Sequence, residues 1–204
     1  MYNNIGNVWL NFSKRVVVHP FNYYDPKTVD EAVEILQKFG DKAKCLAGGT
    51  DVLVQTRGER YELDAIVDVK KIPELTSVEW TNDHLVIGAA TPCYVLYEDQ
   101  KVSEAFPGII DSASLIGGIQ IQSRASLGGN LCNASPSADG ICSLIVHEAE
   151  CIIAGPKGIR EIPVEDMCVG PGRNALDEGE FLVSIKIPLK NSTFSASYER
   201  FIPR

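Results

Sequence analysis

What this chain is short of narrows its function before any motif is read. None of its six cysteines (Cys45, Cys93, Cys132, Cys142, Cys151, Cys168) falls into a C-x-x-C pair, and its three histidines, His19, His84 and His147, are isolated. Zinc and iron–sulfur ligands usually arrive in closely spaced pairs, so an internal metal or cluster site is not expected. Apolar runs long enough to cross a bilayer are missing. The opening stretch has no secretory layout: Lys14 and Arg15 precede only three valines, with no small-residue cleavage site. The expected location is cytoplasmic, with free, mostly buried thiols. Positive charge is scarce as well. Nineteen Lys and Arg stand against 27 Asp and Glu, for a net charge of −8, and Lys70 and Lys71 are the only adjacent lysines. Wrapping nucleic acid requires a basic face that displaces condensed counterions, so no nucleic-acid partner is expected.

What remains is the composition of an ordinary globular protein, 45% hydrophobic and 23% charged, in a chain of 204 residues. That length holds one domain or two small lobes, and the pattern favours two. Residues 1–18 read as a loosely attached extension. From 19 to 72, strands and helix alternate. Thr28 caps a helix, Glu31 completes its capping box, and Val29, Ala32, Val33, Leu36 and Phe39 form its apolar stripe, closed by Gly40. "AKCLAGG" and "LDAIVDV" are short buried strands of a small, partly parallel sheet, and "TDVLVQTR" opens a short helix or a loop.

The character changes near Pro73, and residues 73–204 form the second lobe. "LTSVEW" and "HLVIGAA" make a hairpin around Thr81, Asn82 and Asp83, and "PGIIDSASLIGG" has helical spacing. "GICSLIVHEA" suits helix or strand. "ECIIAGPKGIREIP" is a second hairpin, and "FLVSIKIP" is a strand that reaches a sheet edge at Pro188. The fold class is α+β: a small, partly parallel α/β lobe beside a larger antiparallel-sheet lobe with helices.

Two Gly-Gly pairs, "LAGGTDVLVQ" and "SLGGNLCNASPSAD", lie roughly eighty residues apart. Glycine permits backbone conformations closed to other residues and lets a ligand approach the main chain, so such a turn aims amide donors at an anion. The hydroxyls of Thr50 and Ser126 and the amide of Asn130 add donors. With few basic residues nearby, phosphate would be held mainly by backbone dipoles. Two turns, one per lobe, suit a diphosphate and hence a dinucleotide. Gly-Gly also marks ordinary tight turns, and neither pair fits the Rossmann or Walker patterns.

The phrases "FNYYDPKTVDEAVEIL", "CLAGGTDVLVQ", "AIVDVKKIPEL", "LVIGAATP", "ASLGGNLCNASPSAD" and "LVSIKIP" follow one another in an order that resembles the flavin-binding medium subunit of molybdenum hydroxylases, the carbon monoxide dehydrogenase and xanthine dehydrogenase family. The likeness runs from His19 to Arg204. It implies the two-lobed FAD-binding fold of the vanillyl-alcohol oxidase and MurB type. It also implies FAD as cofactor, with Leu46, Ala47, Gly48, Gly49, Thr50, Asp51, Val52 and Leu53 at its first loop. Ser126, Leu127, Gly128, Gly129 and Asn130 match the second, and Asp139 matches an aspartate near the flavin's ribityl or adenosine portion, its bland alternative being a helix cap. Ile116 and Leu182 match apolar positions lining the cofactor, and Tyr198 stacks near the ring.

The implied role is electron transfer, with no catalytic residue of its own. A molybdopterin-containing large subunit oxidises the substrate, a small subunit with two [2Fe-2S] clusters relays electrons to FAD, and NAD, a quinone or another external carrier accepts them. Departures from the family are that Gln120 and Ile121 precede Gln122 and Ser123, with Arg124 two places from the usual arginine, and that no cysteine-rich insertion occurs. The family's small C-terminal domain is expected to be absent. The competing readings are a stand-alone MurB-type flavin reductase and an assembly module that has lost FAD.

Overall fold

The computed structural model describes residues 19–58, 60–190 and 194–201. The extension expected over 1–18 lies outside the described residues. Three parallel strands build the smaller sheet: β1 (Asn22–Tyr24), β2 (Ala43–Leu46) and β3 (Ala65–Asp68), in the order β1-β3-β2. β1 was not foreseen, because "NYY" is three residues long and mostly exposed. β3 sits centrally with all four residues buried, as its near-continuous apolar run requires.

Between β1 and β2 runs α1 (Val29–Phe39), which packs Ala32 and Leu36 into the lobe's core. Thr28 caps it, its hydroxyl accepting from the Glu31 amide at 3.2 Å, while the Glu31 carboxylate accepts from the Lys27 amide, one residue further out than the expected box. Gly40, at φ 55°, ends it with its amide on the Leu36 carbonyl. The undecided segment after the first glycine pair is helix α2 (Val52–Arg57).

The larger sheet contains β4 (Val78–Trp80), β5 (His84–Gly88), β6 (Glu150–Gly155), β7 (Gly158–Pro163) and β10 (Phe181–Pro188), all antiparallel in the order β4-β5-β10-β6-β7. Both expected hairpins are present, β4–β5 turning at Thr81, whose hydroxyl accepts from the His84 amide at 2.9 Å. "FLVSIKIP", expected at an edge, is the middle strand. It pairs with β5 on one side and β6 on the other, and its first five residues are buried.

An irregularity between Leu182 and Ser184 explains how one strand serves two cores. Phe181 and Val183 enter the core shared with α1 and the small sheet, whereas Leu182, Ile185 and Ile187 face the helical layer. Unbroken alternation would have put Val183 and Ile185 on one face.

That layer lies between β5 and β6: α3 (Cys93–Glu98), α4 (Gln100–Ala105), α5 (Pro107–Ala113), α6 (Ile119–Gln122), α7 (Leu127–Asn133) and α8 (Asp139–Val146). The ambiguous "GICSLIVHEA" is thus helical over most of its length, tied to α5 by a buried Ser112–Ser143 hydroxyl pair at 2.7 Å. His147, just after α8, is 4% exposed between the rings of Phe106 and Phe194, and neither of its ring nitrogens has a hydrogen-bond partner among the described residues. A short α9 (Val164–Met167) and the two-stranded ribbon of β8 (Cys168–Gly170) and β9 (Arg173–Asn174) complete the chain before β10. Among the described residues no helix is long and apolar enough to cross a membrane.

Candidate functional site between the two glycine loops

The two glycine pairs line one cleft of about 660 Å³. From the small lobe it is bounded by Ala47, Gly48, Gly49, Thr50, Asp51 and Val52, and from the larger one by Ile116, Ser126, Gly128, Gly129, Asn130 and Leu182.

The pairs are alike as text and different as structure. Gly48 and Gly49 lie in an irregular loop between β2 and α2, and Gly49 has φ 77°, a left-handed conformation that favours glycine. The amides of Gly48, Gly49 and Thr50 donate to no acceptor among the described residues. Gly128 and Gly129, expected in a turn, occupy the first turn of α7 instead. Ser126 is its N-cap, the hydroxyl accepting from the Gly129 amide at 3.0 Å. That leaves the Gly128 amide without an acceptor among the described residues.

Close ligand approach is not the whole reason for glycine here. A Cβ at Gly48 would stand 2.0 Å from the Arg124 carbonyl oxygen, and one at Gly128 would stand 2.5 Å from that of Ala89. The first glycine of each pair therefore lets two backbones of the protein itself meet.

Asn130 does not direct its carbonyl at the cleft, since Oδ1 accepts from the Gly140 amide at 3.1 Å. Asp139 is the first residue of α8 rather than its cap, and its Oδ1 accepts from the Tyr198 hydroxyl at 3.3 Å, with Arg200 Nη1 3.7 Å away. Burial and the Asp139 charge push the Tyr198 phenol upward. The structure brings Asp139 and Tyr198 together across 59 residues but does not place either on the cleft wall. Leu46, Leu53 and Leu127 are not on the wall either: the first two back Gly49, and Leu127 is core.

Sequence reasoning missed Tyr61, Asn133 and, except for Ala175, the stretch from Gly172 to Phe181, all of which reach the cleft. "VGPGRNALDEGE", dense in turn residues, was the available signal for the last. Lys44 and Arg173 are the basic residues among the described wall, against Asp41, Asp51, Asp177, Glu178 and Glu180. Glu180 is held low by the Arg160 guanidinium, 2.6 Å away. Burial pushes the Cys45 thiol up to about 12 and the Cys132 thiol upward too, so neither wall cysteine supplies a thiolate at neutral pH. Acidic side chains thus outnumber basic ones on the described wall, beside main-chain amides that have no acceptor among the described residues.

Residues 19–190 match the family described as the FAD binding domain in molybdopterin dehydrogenase. The chain is 35% identical over 168 residues to the xanthine dehydrogenase FAD-binding subunit of Escherichia coli O157:H7, covering 82% of this chain and 57% of that one. It is 31% identical over 180 residues to the carbon monoxide dehydrogenase medium chain of Hydrogenophaga pseudoflava, covering 88% and 63%. The solved carbon monoxide dehydrogenase from Hydrogenophaga pseudoflava that lacks the Mo-pyranopterin moiety superposes with a TM-score of 0.83 at 31% identity, over 86% of this chain and 61% of that one. Reconstituted CO dehydrogenase from Oligotropha carboxidovorans gives 0.83 at 28%, over 86% and 62%. This chain belongs to the family of FAD-binding domains of molybdenum hydroxylases, and it spans about three fifths of the length of these relatives. Its cleft fits such a cofactor: Gly48, Gly49, Thr50 and Gly128, whose amides have no acceptor among the described residues, line one shared volume from two lobes.

Proposed function

We propose that this chain is the cofactor-holding part of an electron-transfer subunit in a molybdenum hydroxylase complex. In this reading it takes electrons from the [2Fe-2S] clusters of a small partner subunit, beside a molybdopterin-containing large subunit, and delivers them to an external acceptor such as NAD or a quinone. When bound, FAD supplies the redox chemistry, accepting electrons singly and releasing them in pairs. The chain's own residues bind, orient and shield.

The observation that carries this reading is the convergence of both glycine loops on one cleft. Gly48, Gly49 and Thr50 from one side and Gly128 from the other present amides that the fold itself does not use, which suits a diphosphate between them. The excess of acidic over basic side chains on the wall makes these dipoles the principal anion-binding device. Ile116 and Leu182, both nearly buried, give the cleft an apolar flank that excludes water. Asp139 and Tyr198 pair with each other off the cleft wall, so in this reading they serve only a part of the cofactor that extends past the wall, the carboxylate meeting its hydroxyl donors and the ring offering a stacking surface.

The test is reconstitution. Purified chain mixed with FAD and freed of excess should keep about one FAD per chain and turn yellow. A colourless protein after reconstitution would remove the proposal.

A further inference from the structure

Two side-chain hydrogen bonds join the lobes beside the glycine loops. Arg124, two residues before the α7 cap, donates from Nε to the carbonyl oxygen of Gly48 at 3.0 Å. Gln55, on α2, donates from Nε2 to Oδ1 of Asn133, the last residue of α7, at 2.9 Å. The first holds the first loop against the segment leading into the second. The other ties together the two short helices that follow the loops. Gln55 and Asn133 are both half-buried, and Gly48 is buried against the Arg124 main chain, so these bonds are partly shielded from competing water.

We infer that Arg124 and the Gln55–Asn133 pair are positioning residues that set the spacing of the two loops before FAD arrives. This rests on the FAD-binding reading. Amide donors serve a diphosphate only within hydrogen-bond reach, and loops on separate lobes hold that spacing only if the lobes are fixed to one another. An apparent dissociation constant rises in inverse proportion to the fraction of protein in the competent arrangement. Loss of a latch lowers that fraction even when each lobe stays folded. Gly48 has a part in the same device, since any side chain there would part the backbones that the Arg124 bond closes.

The experiment compares the wild-type chain with Arg124→Met, Arg124→Lys, Gln55→Leu and the exchange Gln55→Asn with Asn133→Gln. Two readouts are taken well below the melting temperature of every variant: the FAD dissociation constant by flavin fluorescence, and hydrogen exchange of residues 43–58 in the cofactor-free chain. Arg124→Met and Gln55→Leu should each weaken FAD binding about tenfold and quicken exchange by a similar factor. Arg124→Lys, which keeps a donor, and the exchanged pair, which keeps both partners and their combined length, should recover most of the loss. A merely structural role would lower the melting temperature and leave both readouts in place. Dissociation constants and exchange within about twofold of wild type in the Met and Leu variants would overturn the inference. A wild-type chain that binds no FAD would instead overturn the cofactor reading, and exchange in the cofactor-free chain would then decide the latches alone.

Discussion

Gly48–Gly49 and Gly128–Gly129 differ more than their spelling suggests. The first pair bends the chain out of β2 with one residue in a left-handed conformation, and the second starts a helix with ordinary backbone angles. Their common property is in the first member of each pair, which touches the backbone of a neighbouring element. The repeated string thus encodes close approach twice and a left-handed bend once. Substitutions should separate these roles.

Gly48→Ala forces a methyl onto the Arg124 carbonyl, and Gly128→Ala forces one onto Ala89. Neither obstacle is a flexible side chain, so each should cost about 3 kcal/mol or more of unfolding free energy by urea titration, with loss of FAD. If both were neutral, the claim that the first glycines are packing glycines would fail. Gly49→Ala should cost less, about 1–2 kcal/mol, from its left-handed backbone and from the Leu46 and Leu53 methyls that the new Cβ would crowd.

Gly129→Ala is the contrasting case. Its Cβ would meet only the Ser126 hydroxyl at 3.0 Å, within a helix that alanine favours, so stability should change by less than about 1 kcal/mol. A Gly129 variant as damaged as the Gly49 one would erase the distinction between bend and helix. Ser126→Ala removes the cap of α7 and should cost about 1 kcal/mol, read from the same titration.

A smaller effect comes from outside the loops. Burial, and then the nearby Lys190 charge, hold the His147 imidazole below its ordinary pKa of 6.5. Depression means the fold prefers the neutral ring. Stability from this residue is therefore intact above pH 6.5 and declines as the pH falls from 6.5 toward the lower folded value, because the unfolded chain takes the proton first. Melting temperatures from pH 7.5 to 5 should show this decline, and His147→Phe should flatten it. An unchanged slope in that variant would assign the acid sensitivity elsewhere.

The α/β character of the small lobe, both hairpins and the α1 boundaries were legible because local signals and tertiary demands agreed there. The place of β10 was not. Its period-two pattern, Phe181, Val183, Ile185 and Ile187, conceals an irregularity that splits these side chains between two cores, and a strand with both faces covered belongs in the middle. β1 was too short to register. The loops were legible as candidate site elements, but their helical and irregular backbones were not, since Gly-Gly is compatible with either. Gln55 and Asn133 carried no signal of their own, and Arg124 stood out only as a displaced arginine, because their significance is a meeting across lobes, 78 and 76 residues apart in sequence.

The central claim is that main-chain donors from both lobes close on one diphosphate. Titrating FAD into the 15N-labelled chain and following the backbone amides tests it most directly. The account predicts the largest shifts at Gly48, Gly49, Thr50 and Gly128 together, saturating at one FAD per chain. Shifts confined to one loop, or centred away from both, would contradict it.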